Sequence, residues 1–277
     1  MKSILIKFLT VLCCLLCVNR AFAGDIKFVQ ITDSHYEVGN DYSKEVLEEA
    51  VKQVNKLKGV SFVVFTGDNI NRPREENLVE FVRIVNKLNV PYYLAFGNHD
   101  VYKNVGMSKV NYIKIVKDNN VFYKPSSPNY VVKKNGFVFI VLDGAKEVIP
   151  GSVGYYRQST LEWLDKQLSK YKKYPVVILQ HYPIVEPKER KSHRVYQPEK
   201  YFKVLEKHNN VIAIVSGHYH LNGEQMKDGI YHISTPSLIV EPNYYKIIDI
   251  VTTPGFSPMI YTELKSVGVK LHLAIFR

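Results

Sequence analysis

Five short clusters of carboxylate, amide and imidazole side chains punctuate the chain: Asp33-Ser34-His35, Gly67-Asp68-Asn69, Gly97-Asn98-His99-Asp100, Gln180-His181-Tyr182-Pro183 and Gly217-His218-Tyr219-His220. Taken singly, each has an ordinary explanation. Asp-x-His and Gly-Asp are frequent in surface turns, Asn98 is a turn residue type, and His181 has the profile of a hydrogen-bonded core histidine. Taken together they do not, because the clusters collect five of the nine histidines and each follows a short apolar run. Gly97 to Asp100 has the least packing rationale of the five.

The candidate donors are Asp33, His35, Asp68, Asn98, His181, His218 and His220. They offer only carboxylate, carbonyl and imidazole groups, a set suited to Mn, Fe or Zn and unlike a thiolate site. Seven ligands exceed what one tetrahedral ion accepts, so two divalent or trivalent ions sharing a bridge are the economical expectation, with Asp68 as the bridge. Ionised Asp33 and Asp68 and a bridging hydroxide would leave such a pair slightly positive, which suits a phosphate ester and the charge that develops in phosphoryl transfer. Asp33 with His35, and His218 with His220, stand two residues apart, a spacing that puts side chains on one side of extended backbone. Gly67, Gly97 and Gly217 each precede a candidate ligand, where the lack of a Cβ permits unusual φ or close approach.

The elements that must position these groups alternate between apolar runs and amphipathic helices, which argues for an α/β sheet protein. Strands are expected at 26–32, 60–66, 91–96, 175–180 and 211–216. Helices are expected at 43–58 with Ser43 as cap, 74–89, 108–118, 158–171 and 198–208. A hairpin over 129–142 should turn at Asn135-Gly136. Several further strands follow Gly229, adding a second sheet. Each cluster then lies at a strand end, where open α/β sheets bind ligands.

These five motifs, in this order and with this glycine pattern, resemble the calcineurin-like metallophosphoesterase superfamily. The resemblance implies a four-layer α-β-β-α sandwich of two mixed sheets flanked by helices. It implies that Asp33, His35, Asp68 and His220 hold one ion and that Asp68, Asn98, His181 and His218 hold the other. A metal-bridging hydroxide would attack a phosphomonoester or phosphodiester, while His99 would stand over the phosphate with Asp100 orienting its ring. Purple acid phosphatases of the superfamily carry a tyrosine ligand shortly after Gly-Asp. Here Gly67-Asp68-Asn69-Ile70-Asn71 has none, and Asp33-x-His35 is similar to the cyclic-nucleotide phosphodiesterase-like branch.

The first residues read differently from the rest. A basic start, an apolar run from Phe8 to Val18 and the triplet Ala21-Phe22-Ala23 have the order of a secretory leader over 1–23. The run is short of the roughly 20 apolar residues of a membrane span, so no transmembrane anchor is expected. All three cysteines lie in that leader, so the exported chain, 24–277, would form one domain without disulfides, secreted or periplasmic. The formal charge of +11 includes Lys2, Lys7 and Arg20 of the leader. It suits a small anionic substrate, a nucleotide or a phospholipid head group, and not a dedicated nucleic-acid surface, because no aromatic-plus-basic module appears.

His208, His232 and His272 read as structural. His193, in the basic loop 183–198, reads as part of a solvated segment that could reach substrate, as does the loop 144–157 with Tyr155 and Tyr156. The other function class to weigh is a non-enzymatic metal-binding surface protein that retains the fold, which no missing ligand favours.

Overall fold

Residues apolar at consecutive positions leave a strand no solvent face, and Ile26–Ile31 (β1), Val60–Thr66 (β2), Phe137–Leu142 (β5), Val176–Gln180 (β6) and Val211–Ser216 (β7) are largely of that kind. The computed structural model describes residues 23–269 and places these strands at the centres of two sheets. Residues 1–22 of the expected leader 1–23, and residues 270–277 with His272, lie outside the described residues. The first sheet runs β11-β10-β1-β2-β3, with Tyr92–Ala95 as β3, Tyr244–Val251 as β10 and Met259–Ser266 as β11. The second runs β4-β5-β6-β7-β9-β8, with Tyr130–Lys134 as β4, Gly223–Lys227 as β8 and Ile230–Ser234 as β9. β1-β2-β3 and β5-β6-β7-β9 are parallel and the outer pairings are antiparallel, so both sheets are mixed.

The sheets face each other across a layer of aromatic side chains. Phe62 stacks on Phe28 at 4.9 Å and meets Phe139 edge-on at 4.8 Å. Alternate residues of the same strands point outward to helices: Phe65 of β2 meets Phe81 of Glu75–Val85 (α2) at 5.3 Å. Across the molecule, Tyr201 of Pro198–Leu205 (α5) donates to Gln180 of β6 at 2.8 Å. Asp41–Val54 (α1), Lys109–Asn119 (α3) and Gln158–Lys170 (α4) complete the flanks. The four-layer expectation is met.

Three details depart from the sequence reading. Asn40, not Ser43, caps α1, its amide oxygen accepting the Ser43 N–H at 3.0 Å, so the helix starts earlier and stops at Val54. β8 was not foreseen, because its residues are mostly exposed and carry no apolar alternation. Of the strands after Gly229, only β9 joins the second sheet. β10 and β11 return to the first, since β1 is buried on both faces and needs a hydrogen-bonding neighbour at each edge, which β2 and β10 provide. The Asn135-Gly136 turn forms as expected, with φ of 47° and 81°.

If the aromatic layer joins the sheets, Phe62→Ala should lower the unfolding free energy by about 3–5 kcal/mol, read by chemical denaturation. A loss below about 1 kcal/mol would show that other contacts carry the interface.

Candidate metal centre

The strand ends bring all five clusters to one edge of the sandwich. His181 follows β6 directly, and Asp33, Asp68 and His218 stand two residues beyond β1, β2 and β7. Beneath them the buried Gln30 amide donates to Thr66 Oγ1 and to the Ser216 carbonyl, both at 2.8 Å, and accepts from Thr235 Oγ1 at 2.6 Å. That amide ties the ends of β1, β2 and β7 together across the sheets. Above it the loops latch by backbone bonds: Asp33 N to Gly67 O, His35 N to Asp68 O and Gly217 N to His181 O, each at 3.0 Å.

The loops are not extended, which corrects the reason given for the paired spacings. Asp33, His35, Asp68, His218 and His220 have φ of 52°, 40°, 48°, 71° and 56°, the left-handed region. For residues with a Cβ this costs about 1–2 kcal/mol each. The kinks, and not strand alternation, aim the side chains into one cleft. Two glycines allow the close packing. A Cβ on Gly97 would lie 2.1 Å from Asp68 Oδ1, and one on Gly217 would lie 1.9 Å from Thr32 Oγ1.

Each carboxylate has one oxygen fixed and one presented. Asp33 Oδ2 accepts from the His218 backbone N–H at 2.9 Å and from Thr32 Oγ1 at 2.6 Å, while Oδ1 faces His220 Nε2 at 3.1 Å. Asp68 Oδ1 accepts from the His99 N–H at 2.9 Å, while Oδ2 lies 3.8 Å from His35 Nε2 and 3.4 Å from His181 Nε2. The imidazoles follow the same plan. His181 Nδ1–H donates to the Thr66 carbonyl at 2.8 Å and His218 Nε2–H to the Ser152 carbonyl at 2.7 Å, which leaves His181 Nε2 and His218 Nδ1 facing each other at 3.1 Å. Carbonyl partners of this kind fix the tautomer of metal-binding histidines.

Donor atoms lie within 4.8 Å of one another in three overlapping sets, Asp33-His35-His220, His35-Asp68-His99 and Asp68-His181-His218, so Asp68 belongs to two. Asn98 adds a buried amide oxygen with no hydrogen-bond partner among the described residues, a desolvated acceptor that a cation would satisfy. Burial opposes charge throughout the cleft. Against it, the His220 hydrogen bond and the His181 charge hold Asp33 at about 2, and His181 keeps Asp68 well below the usual carboxylate range. His181 is itself raised to about 9, despite burial, by Asp68 and Asp33, whereas burial and His181 push His218 down to about 3. Two ionised carboxylates and imidazole nitrogens aimed at shared points fit cations in both halves.

Asp100 is not where it was expected. Its carboxylate accepts from the N–H groups of Gly97 and Asn69 at 2.8 Å and of Ile70 at 3.2 Å, binding two loops together. Burial and the neighbouring Asp68 push it up to about 7. The His99 ring is instead oriented by the Asn71 carbonyl, 2.8 Å from Nδ1, which leaves Nε2 free beside His35. His193, read as solvated, lies with its ring 4.9 Å from His218. Its sequence signal is membership of a basic loop that directly follows His181 and could reach substrate. His208 pairs with Asp165 at 2.6 Å and His232 is buried in β9, both away from the cleft.

A family model described as calcineurin-like phosphoesterase matches residues 26–222. The chain belongs to that family. This phosphoesterase is therefore a metal-dependent phosphoric ester hydrolase. No curated protein matches it significantly. Among solved structures it is similar to a dimetal phosphatase from Danio rerio, at 19% identity and a TM-score of 0.60 over 81% of this chain and 95% of that one. It is similar also to GAP50, the anchor in the inner membrane complex of Plasmodium, at 14% identity and 0.62 over 90% and 87%. A purple acid phosphatase from yellow lupin, Lupinus luteus, gives 13% identity and 0.62 over 89% of this chain and 52% of that one. At these identities the likeness is one of fold.

Because a Cβ at position 97 collides with Asp68, Gly97→Ala should weaken Mn²⁺ binding at least about tenfold by calorimetry, the scale of losses around metal ligands. Unchanged affinity would show that the Asp68 carboxylate is not confined as described.

Proposed function

We propose that the chain is an exported two-metal phosphoesterase in which Asp33, His35, Asp68 and His220 hold one ion and Asp68, Asn98, His181 and His218 the other. The observation that carries this reading is the Asp68 carboxylate, with one oxygen locked by the His99 N–H and the other presented to His35 and His181 at once. Mn, Fe or Zn suits the donors. When bound, such a pair neutralises phosphate charge and makes water acidic enough to attack near neutral pH.

The protein's own groups do the rest. His99, held through Nδ1 by Asn71, keeps Nε2 free to donate to the phosphate or the leaving oxygen. Thr32 and the His218 N–H hold Asp33, while Thr66 and Ser152 hold His181 and His218, so the centre needs little reorganisation when substrate arrives. The substrate is a small phosphomonoester or phosphodiester, with nucleotides and phospholipid head groups the candidates. The absence of tyrosine after Gly67-Asp68 favours a centre unlike that of purple acid phosphatases.

Export is supported by the leader pattern over 1–23 and by the confinement of every cysteine to it. Among the described residues no helix is long and apolar enough to cross a membrane.

The protein loaded with Mn²⁺ should hydrolyse p-nitrophenyl phosphate or its bis-ester, and a chelator or Asp68→Ala should abolish turnover. Full activity in Asp68→Ala would sink the shared-carboxylate scheme. His99→Ala should retain both ions by elemental analysis yet lose about 10² to 10⁴ in kcat. Loss of metal in that variant would make His99 a ligand instead.

A further inference from the structure

The basic loop after His181 is built into one wall of the centre. Ser152 Oγ donates to the Ser192 carbonyl at 2.5 Å, Gly154 N to Arg194 O at 3.1 Å and Tyr196 N to Gly154 O at 2.8 Å, zipping it to the loop 144–157. That second loop is fastened to the centre itself through the Ser152 carbonyl on His218. His193 completes the dock, with its ring 4.9 Å from His218 and 5.9 Å from Tyr219.

The turn that carries His193 is closed by its N–H on the Arg190 carbonyl at 2.9 Å, so Arg190 and Arg194 flank a ring already against a candidate ligand. Lys188, Arg190, Lys191 and Arg194 are all exposed, and among the described residues none forms an ion pair. The loop's two acids, Glu186 and Glu189, leave it net positive, and the Glu186 carboxylate faces the Arg190 backbone N–H at 3.3 Å. Elsewhere on the surface, lysines and arginines commonly pair with acids: Lys52 with Glu49, Arg83 with Glu80, Lys87 with Glu48 and Lys207 with Asp165. Unneutralised cations beside a phosphate-binding centre attract negative charge that the two ions do not themselves contact.

We infer that Arg190 and Arg194 select substrates that carry a second anionic group, such as a further phosphate, beyond the phosphate bound at the metals. The inference rests on the two-metal reading above, and binding tests it separately from turnover. Calorimetry on the Mn²⁺-loaded protein would compare adenosine 5′-monophosphate with adenosine 3′,5′-bisphosphate. At about 20 mM salt the bisphosphate should bind on the order of tenfold more tightly, and much of that preference should vanish at about 0.5 M salt.

Arg190→Gln with Arg194→Gln should bring the two affinities to within about twofold, whereas Lys56→Gln with Lys58→Gln, which changes the net charge equally at exposed positions outside the loop, should keep the preference. Equal affinities in the unaltered protein, or a preference that survives the double arginine substitution, would overturn the inference. Binding of neither nucleotide would also overturn it. Failure of every phosphoester to be hydrolysed, with the preference intact, would remove the enzymatic reading and leave the anion site standing.

Discussion

The structure is organised around an electrostatic debt: two carboxylates and two imidazoles, Asp33, Asp68, His181 and His218, are withdrawn from water into one cleft, with His35 and His220 half-buried at its side and desolvation acting against every charged form. Isolated burial of such groups costs several kcal/mol each. The fold answers by giving each carboxylate one oxygen tied to a backbone N–H and each of His181 and His218 a carbonyl for one ring nitrogen. What remains is a set of lone pairs aimed inward. Cations held there would satisfy those lone pairs.

Backbone strain points the same way. Five of the seven candidate ligands sit in left-handed conformation, and Asn98 adds an amide oxygen with no hydrogen-bond partner among the described residues. A loop free to relax would abandon such geometry. It persists because the loops are bonded to one another and because Gln30 and Asp100, neither of them a candidate ligand, clamp strand ends and turns from beneath. Stability of the sandwich is thus converted into a pre-organised site.

Much of this could be read from the sequence, and the pattern of what could not is instructive. Strands buried on both faces are written as continuous apolar runs, so β1, β2, β6 and β7 and the clusters they deliver were visible. The donors were legible because carboxylate, amide and imidazole at successive strand ends have no packing purpose. Asp100 departs from the role the resemblance implies because a shared motif does not say where a carboxylate turns once three N–H groups converge on it. β8 and the return of β10 to the first sheet depend on long-range pairing that no local period encodes. For His193 the sequence offers only a loop able to reach substrate, because its exact place is set by loop-to-loop bonds.

A fold shared at 13–19% identity by proteins described as a dimetal phosphatase and as a membrane-complex anchor does not by itself choose between catalysis and scaffolding. The choice rests on whether the strained, desolvated donor set has been kept. A scaffold gains nothing from left-handed aspartates, from an Asn98 oxygen with no hydrogen-bond partner among the described residues, or from the close approach of Asp68 to Gly97. In this chain all of them coexist, together with an imidazole at position 99 held by one nitrogen and free at the other. Groups costly to the fold and useful only to a bound cation and its phosphate are the physical reason to place this member of the family among the hydrolases.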